Sequence, residues 1–250
     1  MKIVVIIPSR YGSTRFAGKP LALIGGKPMI QRVVEIAKTG RGVSDVVVAT
    51  DDPRIVDAVG RFNGRAIMTG EENRSGTDRV AEAAQKMGLL PEDIVVNIQG
   101  DQPAFTAAHI DEVVKPLFHV GEAEMSTLAF EIVDPQEITN PKDCKVTFDN
   151  QGYALYFSRS PIPCARDAGT RFSTYKHLGI YAYTRRFLDT FRKLPTGSLE
   201  NIEKLEQLRA LEHGHRIKVA VSPYDSPEVD VPADIPRIEA LINRSYLKKI

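Results

Sequence analysis

Three basic side chains follow an apolar run at the start of the chain. The run at residues 3–7 ends at Pro8, and the loop beyond it carries Arg10, Arg15 and Lys19. A buried strand that opens into such a loop places cations at the carboxyl end of a sheet, where open α/β folds bind their ligands. The expected ligand of this loop is therefore a polyanion.

The same loop offers phosphate oxygens both side-chain charge and backbone donors. Arg10 and Lys19 supply the charge, and the N–H groups around Gly12, Ser13 and Thr14 can form a cradle. A solvated surface loop is the alternative. Neither G-x-G-x-x-G nor G-x-x-x-x-G-K-[ST] occurs at the first strand-to-helix crossing. The sequence thus disfavours a dinucleotide site and a P-loop.

A carboxylate follows another apolar strand, which ends in Gly100 and Asp101. A carboxylate at the same sheet edge as the basic loop suits Mg²⁺, which takes one or two protein oxygens alongside phosphate and water. Asp101 is therefore the first candidate metal ligand. An aspartate at the end of a strand is also common as a helix cap or turn former, and this alternative stays open.

Ser75 and Thr77 lie in a loop that leads into a predicted helix. Both are N-cap candidates, and the free N–H groups of a helix start can meet an anion or a base edge. The structural alternative is an ordinary cap followed by a surface Arg79.

Composition restricts the class of protein. The chain has 250 residues, of which 42% are apolar, enough for one large domain or a core with a modest insertion. It carries 33 Lys and Arg against 32 Asp and Glu, a formal net charge of +1. A net charge this close to zero gives no overall positive potential that would attract nucleic acid, so a small-molecule partner is expected.

Targeting and redox signals are sparse. The first apolar run is far too short to span a bilayer, and no signal-peptide cleavage pattern follows it, so no membrane insertion is expected. Cys144 and Cys164 lack C-x-x-C spacing, which disfavours a disulfide and a zinc site. A cytoplasmic location is the simplest expectation.

Hydrophobic patterning predicts an α/β protein with a doubly wound, mostly parallel sheet. Predicted strands cover residues 3–8, 46–49, 66–68, 94–98, 125–132, 144–148, 153–158, 178–183 and 217–221. Predicted helices cover residues 29–38, 53–62, 78–87, 185–192 and 200–213, with a last one from about 232. One domain is expected over 1–250, with residues 1–120 and 185–250 as its α/β core. Residues 121–184 are interpreted as a β-rich insertion, and residues 149–152 as a hairpin turn.

The opening loop resembles that of the 3-deoxy-manno-octulosonate (Kdo) cytidylyltransferases, within the nucleotidyltransferases that share a Rossmann-like core. Residues 6–21 read I-I-P-S-R-Y-G-S-T-R-F-A-G-K-P-L, close to the family's P-A-R-x-x-S-x-R-x-x-G-K-P-L. The chain departs at Ser9 and Ala17, where the family usually has Ala and Pro. The resemblance implies that CTP is bound by Arg10, Ser13, Lys19, Ser75, Thr77 and Arg79.

The resemblance also implies a second metal ligand. Residues 229–234 read V-D-V-P-A-D, similar to the family's V-D-T-P-E-D, whose first aspartate binds the metal and corresponds to Asp230. A plain helix-start aspartate is the alternative. Mg²⁺ is the implied cofactor, held by Asp101 and Asp230, and the implied catalytic residues are Arg10, Lys19, Asp101 and Asp230.

Three further segments resemble the part of the family that holds the sugar. They are Y-F-S-R at 156–159, H-L-G-I-Y at 177–181 and L-E-Q-L-R at 205–209. The implied sugar-binding residues are Gln99, Arg159, His177, Tyr181, Glu206 and Gln207. Arg159 suits a bidentate grip on the sugar carboxylate. On general grounds His177 is more often structural. The apolar residues Leu199, Ile202, Leu205, Leu208 and Leu211, which recur every third position, predict core packing beneath a solvated charged face.

The resemblance implies a cytidylyltransferase that joins CMP from CTP to an acidic eight-carbon sugar for lipopolysaccharide synthesis, as a cytoplasmic homodimer. The insertion is expected to form the sugar pocket and the dimer contact. Gln102 stands where the family usually has Glu, a change that resembles the branch acting on 8-amino-Kdo. The alternatives are that sugar, another nucleotidyltransferase of the group, and a non-catalytic nucleotide-binding module.

Overall fold

The fold is described over residues 1–12, 15–118 and 123–247 of a computed structural model. Its strands are β1 (Ile3–Ser9), β2 (Leu23–Ile24), β3 (Lys27–Pro28), β4 (Val43–Thr50), β5 (Arg65–Met68), β6 (Ile94–Asn97), β7 (Met125–Glu131), β8 (Lys145–Phe148), β9 (Ala154–Ser158), β10 (Tyr175–Thr184) and β11 (Lys218–Ser222). Its helices are α1 (Met29–Ala37), α2 (Pro53–Arg61), α3 (Gly76–Lys86), α4 (Ala107–Val114), α5 (Pro135–Thr139), α6 (Arg185–Lys193), α7 (Ser198–Glu203), α8 (Leu208–Glu212) and α9 (Ile235–Leu247).

The main sheet has the strand order β11-β7-β10-β6-β1-β4-β5. Its neighbours pair in parallel, except that β10 runs antiparallel to both β6 and β7. Every residue of β1 is buried, as expected for a central strand with both faces covered. This sheet confirms the predicted mostly parallel α/β architecture.

Alternate residues of β1 belong to two separate apolar cores. Val5 and Ile7 pack in a cluster with residues of α1, α2 and α4, whereas Val4 and Ile6 pack in a cluster with residues of α3, α6 and α8. Successive side chains of a strand point to opposite faces, so helices cover both sides of the sheet. The doubly wound arrangement is therefore confirmed.

The predicted β-rich insertion at residues 121–184 includes strands that belong to the main sheet. Two of its strands, β7 and β10, belong to the main sheet, and only β8 and β9 pair off its path. The predicted turn between β8 and β9 is present, because the Asp149 side chain accepts hydrogen bonds from the backbone N–H groups of Gln151 and Tyr153. Gly152 has a φ of 78°, which a glycine adopts without strain.

The predicted helix over 200–213 is wrong as a single element. The chain forms α7 and α8 instead, separated by Lys204 in the left-handed conformation with φ of 53°. Leu199 and Ile202 are exposed rather than packed in the core. Glu200, expected on a solvated face, is buried and accepts two hydrogen bonds from Arg209, so this ion pair holds the two short helices together.

Helices α4 and α5 have no counterpart among the sequence predictions. Among the described residues, none of the helices has both the length and the apolar composition needed to cross a bilayer.

Candidate active site

Two predicted cations lie near the carboxyl ends of β1 and β6. The Lys19 ammonium is 2.5 Å from a carboxylate oxygen of Asp101 and 3.0 Å from the carbonyl oxygen of Val229. Arg10, the residue after β1, is exposed and donates a hydrogen bond to the carbonyl of Asn73. Both cations are thus at the sheet edge where the sequence places a polyanion.

Asp101 and Asp230 come from distant parts of the chain and lie at the same edge. The backbone N–H of Val229 donates to the carbonyl of Asp101 at 3.0 Å, and Asp230 is the next residue. The Asp230 carboxylate pairs with Arg15 at 3.1 Å. Among the described residues, no group of three or more His, Cys, Asp or Glu side chains could hold a metal ion by itself.

A cavity of about 630 Å³ opens beside this edge, a usual size for a small-molecule site. Its lining includes Asp230 and every residue predicted to bind the sugar: Gln99, Arg159, His177, Tyr181, Glu206 and Gln207. These residues come from the position after β9, from β10, from the segment between α7 and α8, and from the loop after β6. The fold therefore brings together residues that are more than a hundred positions apart.

The Arg159 guanidinium is oriented by backbone carbonyls. It donates to Glu203 at 2.7 Å, to Pro141 at 2.9 Å and to Lys204 at 3.5 Å. An arginine has five N–H donors, and these bonds engage one on each nitrogen. The remaining donors on the two terminal nitrogens are available to a carboxylate in the cavity.

His177 lines the cavity as a neutral ring. Burial lowers its pKa to about 3, and the ring packs against Phe157 and Tyr181. Thr127 donates its hydroxyl hydrogen to the carbonyl of Ile180, so it accepts from Nε2 of His177 at 2.8 Å. This assigns the proton to Nε2 and leaves Nδ1 as a hydrogen-bond acceptor. A neutral ring offers a sugar hydroxyl an acceptor and gives a sugar carboxylate no positive charge.

The predicted CTP and sugar regions meet at Glu206. Its carboxylate accepts a hydrogen bond from the Thr77 hydroxyl, and burial raises its pKa. Ser75 is the N-cap of α3 and its hydroxyl accepts from the backbone N–H of Asp78, whereas Thr77 lies inside the helix. The N-cap expectation therefore holds for Ser75 and is wrong for Thr77.

Tyr181 and Gln207 bind each other at the base of the cavity. The Tyr181 hydroxyl donates to the Gln207 side-chain oxygen at 3.1 Å, and burial raises the tyrosine pKa. The Gln99 side-chain amide nitrogen donates to the Asn97 side-chain oxygen at 3.1 Å. The side-chain oxygen of Gln99 therefore points away from Asn97. Hydrogen bonds thus fix three of the predicted sugar contacts before any ligand binds.

Arg79 and Ser13, two of the residues predicted to bind CTP, are not placed at the site by the structure. The Arg79 guanidinium is fully buried, where it donates to Asp51 and Thr69, each at 2.5 Å. It therefore presents no accessible charge to a nucleotide, and the alternative of a surface arginine is wrong as well. Ser13 lies outside the described residues.

The residues and their arrangement match known proteins. A family model described as cytidylyltransferase matches residues 4–217. The chain belongs to the cytidylyltransferase family. It is 68% identical over 242 residues to the 3-deoxy-manno-octulosonate cytidylyltransferase of Desulfosudis oleivorans, covering 97% of this chain and 98% of the relative.

Two other relatives are informative. This cytidylyltransferase is 56% identical over 241 residues to the 8-amino-3,8-dideoxy-manno-octulosonate cytidylyltransferase of Shewanella amazonensis, covering 96% of this chain and 98% of the relative. A solved structure of CMP:2-keto-3-deoxy-manno-octonic acid synthetase complexed with CTP is 41% identical, with a TM-score of 0.91, and the match covers 98% of this chain and 100% of that one.

Sequence reasoning missed several charged groups of the cavity wall. Lys176 is nearly buried and pairs with Glu137 at 2.7 Å and Asp225 at 2.9 Å. Glu228 also lines the cavity. Its pKa is raised, first because the surrounding protein keeps water from its carboxyl group and then because Asp101 and Asp230 are negatively charged. These residues lie outside the recognised motifs, although Glu228 stands only two positions before Asp230.

Proposed function

We propose that this cytidylyltransferase transfers CMP from CTP to 3-deoxy-manno-octulosonate. The anomeric hydroxyl of the sugar attacks the α-phosphorus of CTP and loses its proton. The bond from that phosphorus to the bridging oxygen breaks, and pyrophosphate leaves. The observation that carries this proposal is that all six predicted sugar contacts line one cavity, which reaches Asp230 beside the Lys19 and Asp101 pair.

Charge neutralisation is the central physical problem, because a triphosphate and a sugar carboxylate repel each other. We assign Arg10 and Lys19 to the triphosphate, since both lie at the carboxyl edge of the sheet. Arg159 is assigned to the sugar carboxylate, because it lines the cavity and its two terminal nitrogens each carry a second N–H donor. Fixed charges of this kind lower a barrier when they tighten on charge that develops in the transition state.

Mg²⁺ is the proposed cofactor. Asp101 and Asp230 provide hard oxygen donors at one edge, and two protein carboxylates suit an ion that completes its shell with phosphate and water. When bound, the ion would polarise the phosphoryl oxygens and stabilise the leaving pyrophosphate. Lys19 holds the Asp101 carboxylate and would give way or turn toward phosphate on loading.

The cellular setting is proposed from the same family membership. We place the reaction in the cytoplasm, in the synthesis of lipopolysaccharide, with the chain acting as a homodimer. Three large apolar side chains in the predicted insertion, Val133, Leu155 and Phe172, are exposed in the single chain and supply surface that a second copy could cover. The molecular mass measured by light scattering tests this assembly.

Pyrophosphate release tests the activity. The purified chain is expected to release pyrophosphate from CTP only when Kdo and Mg²⁺ are both present, and to turn over UTP or ATP far more slowly. CTP binding without turnover would support a non-catalytic nucleotide-binding module. Turnover with another acidic sugar in place of Kdo would support a different enzyme of the same group.

A further inference from the structure

The Glu228 carboxylate is under-satisfied compared with the other acids of the cavity. It lies in the loop between β11 and α9, is exposed toward the cavity, and accepts one hydrogen bond in the described part of the chain. This bond comes from the Gln102 amide at 3.4 Å, near the long limit for a hydrogen bond. The two carboxyl oxygens offer up to about four acceptor sites when the group is ionised, so one long bond leaves most of this capacity unused.

The other cavity carboxylates are better paired within the described residues. Lys176 pairs with both Glu137 and Asp225, and Arg15 pairs with Asp230. The remaining acids of the lining accept hydrogen bonds of 3.0 Å or shorter from amides or hydroxyls. Glu228 is therefore the cavity acid with the greatest unmet need for a donor.

A buried side chain supports the position of Glu228. Gln102 is fully buried, and its amide nitrogen donates to the carbonyl of Leu178 at 2.5 Å as well as to Glu228. Gly179, next to Leu178, has a φ of 66°, a left-handed backbone conformation that a glycine adopts without strain. A carboxylate at position 102 could donate to neither acceptor, so the amide holds the acid at the cavity wall.

The local charge favours a cationic donor. Glu228 is bonded to Val229, whose backbone N–H donates to the carbonyl of Asp101, and it stands two positions before Asp230. The described cations that neutralise Asp101 and Asp230 are already paired with them. A sugar hydroxyl brings one neutral donor, whereas an ammonium group brings three donors and a compensating charge. Among the relatives, the Shewanella amazonensis enzyme is named for a sugar in which an amino group replaces a hydroxyl.

We propose that Glu228 determines sugar specificity by binding an ammonium group on the substrate, and that Gln102 positions its carboxylate. The cavity would then accept 8-amino-3,8-dideoxy-manno-octulosonate as well as Kdo. This inference rests on the proposed function, since it concerns the sugar that receives CMP.

The test compares kcat/KM for the two sugars at one neutral pH, with saturating CTP and Mg²⁺, in the full-length chain. The wild type is expected to use both sugars. Glu228→Gln keeps the size of the side chain and removes the carboxyl group that can form an ion pair with an ammonium, so the amino-sugar to Kdo ratio should fall about 10- to 100-fold, the usual contribution of a hydrogen bond to a charged group. Glu71→Gln, the same change at an exposed residue, is the matched control and should leave the ratio unchanged.

Gln102→Met tests the positioning role, because it removes the amide donor at similar volume. It should lower the same ratio by less than Glu228→Gln does, and a ratio equal to wild type would overturn that role. Because each ratio is measured within one variant, partial unfolding affects both sugars alike and cancels.

Two results would overturn the inference. The wild type could use Kdo and reject the amino sugar, or the Glu228→Gln ratio could equal that of wild type. If that equal ratio came from equal losses with both sugars and a higher Mg²⁺ requirement, Glu228 would be assigned to the metal instead. Absence of pyrophosphate release with every sugar would refute the cytidylyltransferase proposal itself, and this inference with it.

Discussion

Lys19 connects two segments of the site through one ammonium group, which lies 2.5 Å from the Asp101 carboxylate and 3.0 Å from the carbonyl of Val229. Residues 101 and 230 are thereby held at one edge, although 128 residues separate them in the chain. Lys19 itself begins a short 3₁₀ turn after Gly18, whose φ of 69° is in the left-handed region. The basic loop and the two acids therefore form one structural unit.

Asp101→Asn should lower kcat strongly. The amide keeps a hydrogen-bonding oxygen but removes the charge that would hold Mg²⁺ beside the phosphates. We expect a loss of about 100- to 1000-fold, equivalent to about 3 to 4 kcal/mol of transition-state stabilisation, measured by pyrophosphate release. Asp57→Asn, at an exposed position, is the matched control and should retain full activity. A variant at position 101 with wild-type kcat would refute the assignment of this metal ligand.

Arg159→Lys should weaken sugar binding despite preserving the charge. A lysine cannot reproduce the planar fork that donates to Glu203, Pro141 and Lys204 while keeping donors for a carboxylate. The KM for Kdo is expected to rise about 10- to 100-fold, while the KM for CTP stays near wild type. Arg186→Lys, at an exposed residue of α6, controls for the substitution itself. An equal rise in both KM values would instead indicate a general distortion of the site.

Thr77→Val should destabilise the protein more than Thr77→Ser. The valine is nearly isosteric but removes the donor to Glu206, leaving one bond fewer to a half-buried carboxylate. The expected loss in the free energy of unfolding is about 1 to 3 kcal/mol, read from urea denaturation. Serine retains the hydroxyl and should recover most of this loss. Equal stabilities for the two variants would show that the hydroxyl contributes little.

The sheet could be predicted from local sequence because its strands are continuous apolar runs. Val5 and Val96 are buried partners in neighbouring parallel strands, and such runs have few alternative structures when helical segments separate them. The insertion boundary was harder to predict. Strand β10 pairs with three other strands, including β8 at its first residues, and no local pattern specifies which pairing joins the main sheet.

The division between α7 and α8 depends on contacts that a helical pattern does not encode. Apolar residues at every third position favour one helix. Lys204 instead adopts a left-handed conformation, and the Arg209 guanidinium of α8 donates to the Glu200 carboxylate of α7. Arg79 shows that a sequence motif likewise does not determine which side chains reach the site. Its segment resembles that of the family, but its buried ion pair with Asp51 follows only from the packing of α3 against β4. Motifs therefore located the site, and tertiary contacts decided which side chains line it.

His177 should make stability depend on pH below neutrality. Its pKa is about 3 in the folded protein because burial disfavours the charged ring, while an unfolded histidine has a pKa near 6.5. Between these values the unfolded chain binds more protons, so stability falls as the pH is lowered from 6.5 toward 3, by about 1.4 kcal/mol per pH unit for one group.

A matched variant isolates this contribution. His177→Gln retains a donor for Thr127 and does not titrate, so other groups cancel when the two proteins are compared. From pH 7 to pH 5 the wild type should lose roughly 2 kcal/mol more of its free energy of unfolding than the variant does, measured by urea denaturation at each pH. Parallel pH profiles would mean that the ring is protonated as easily in the folded protein as in the unfolded chain. The neutral hydrogen-bond acceptor assigned to the cavity would then be wrong.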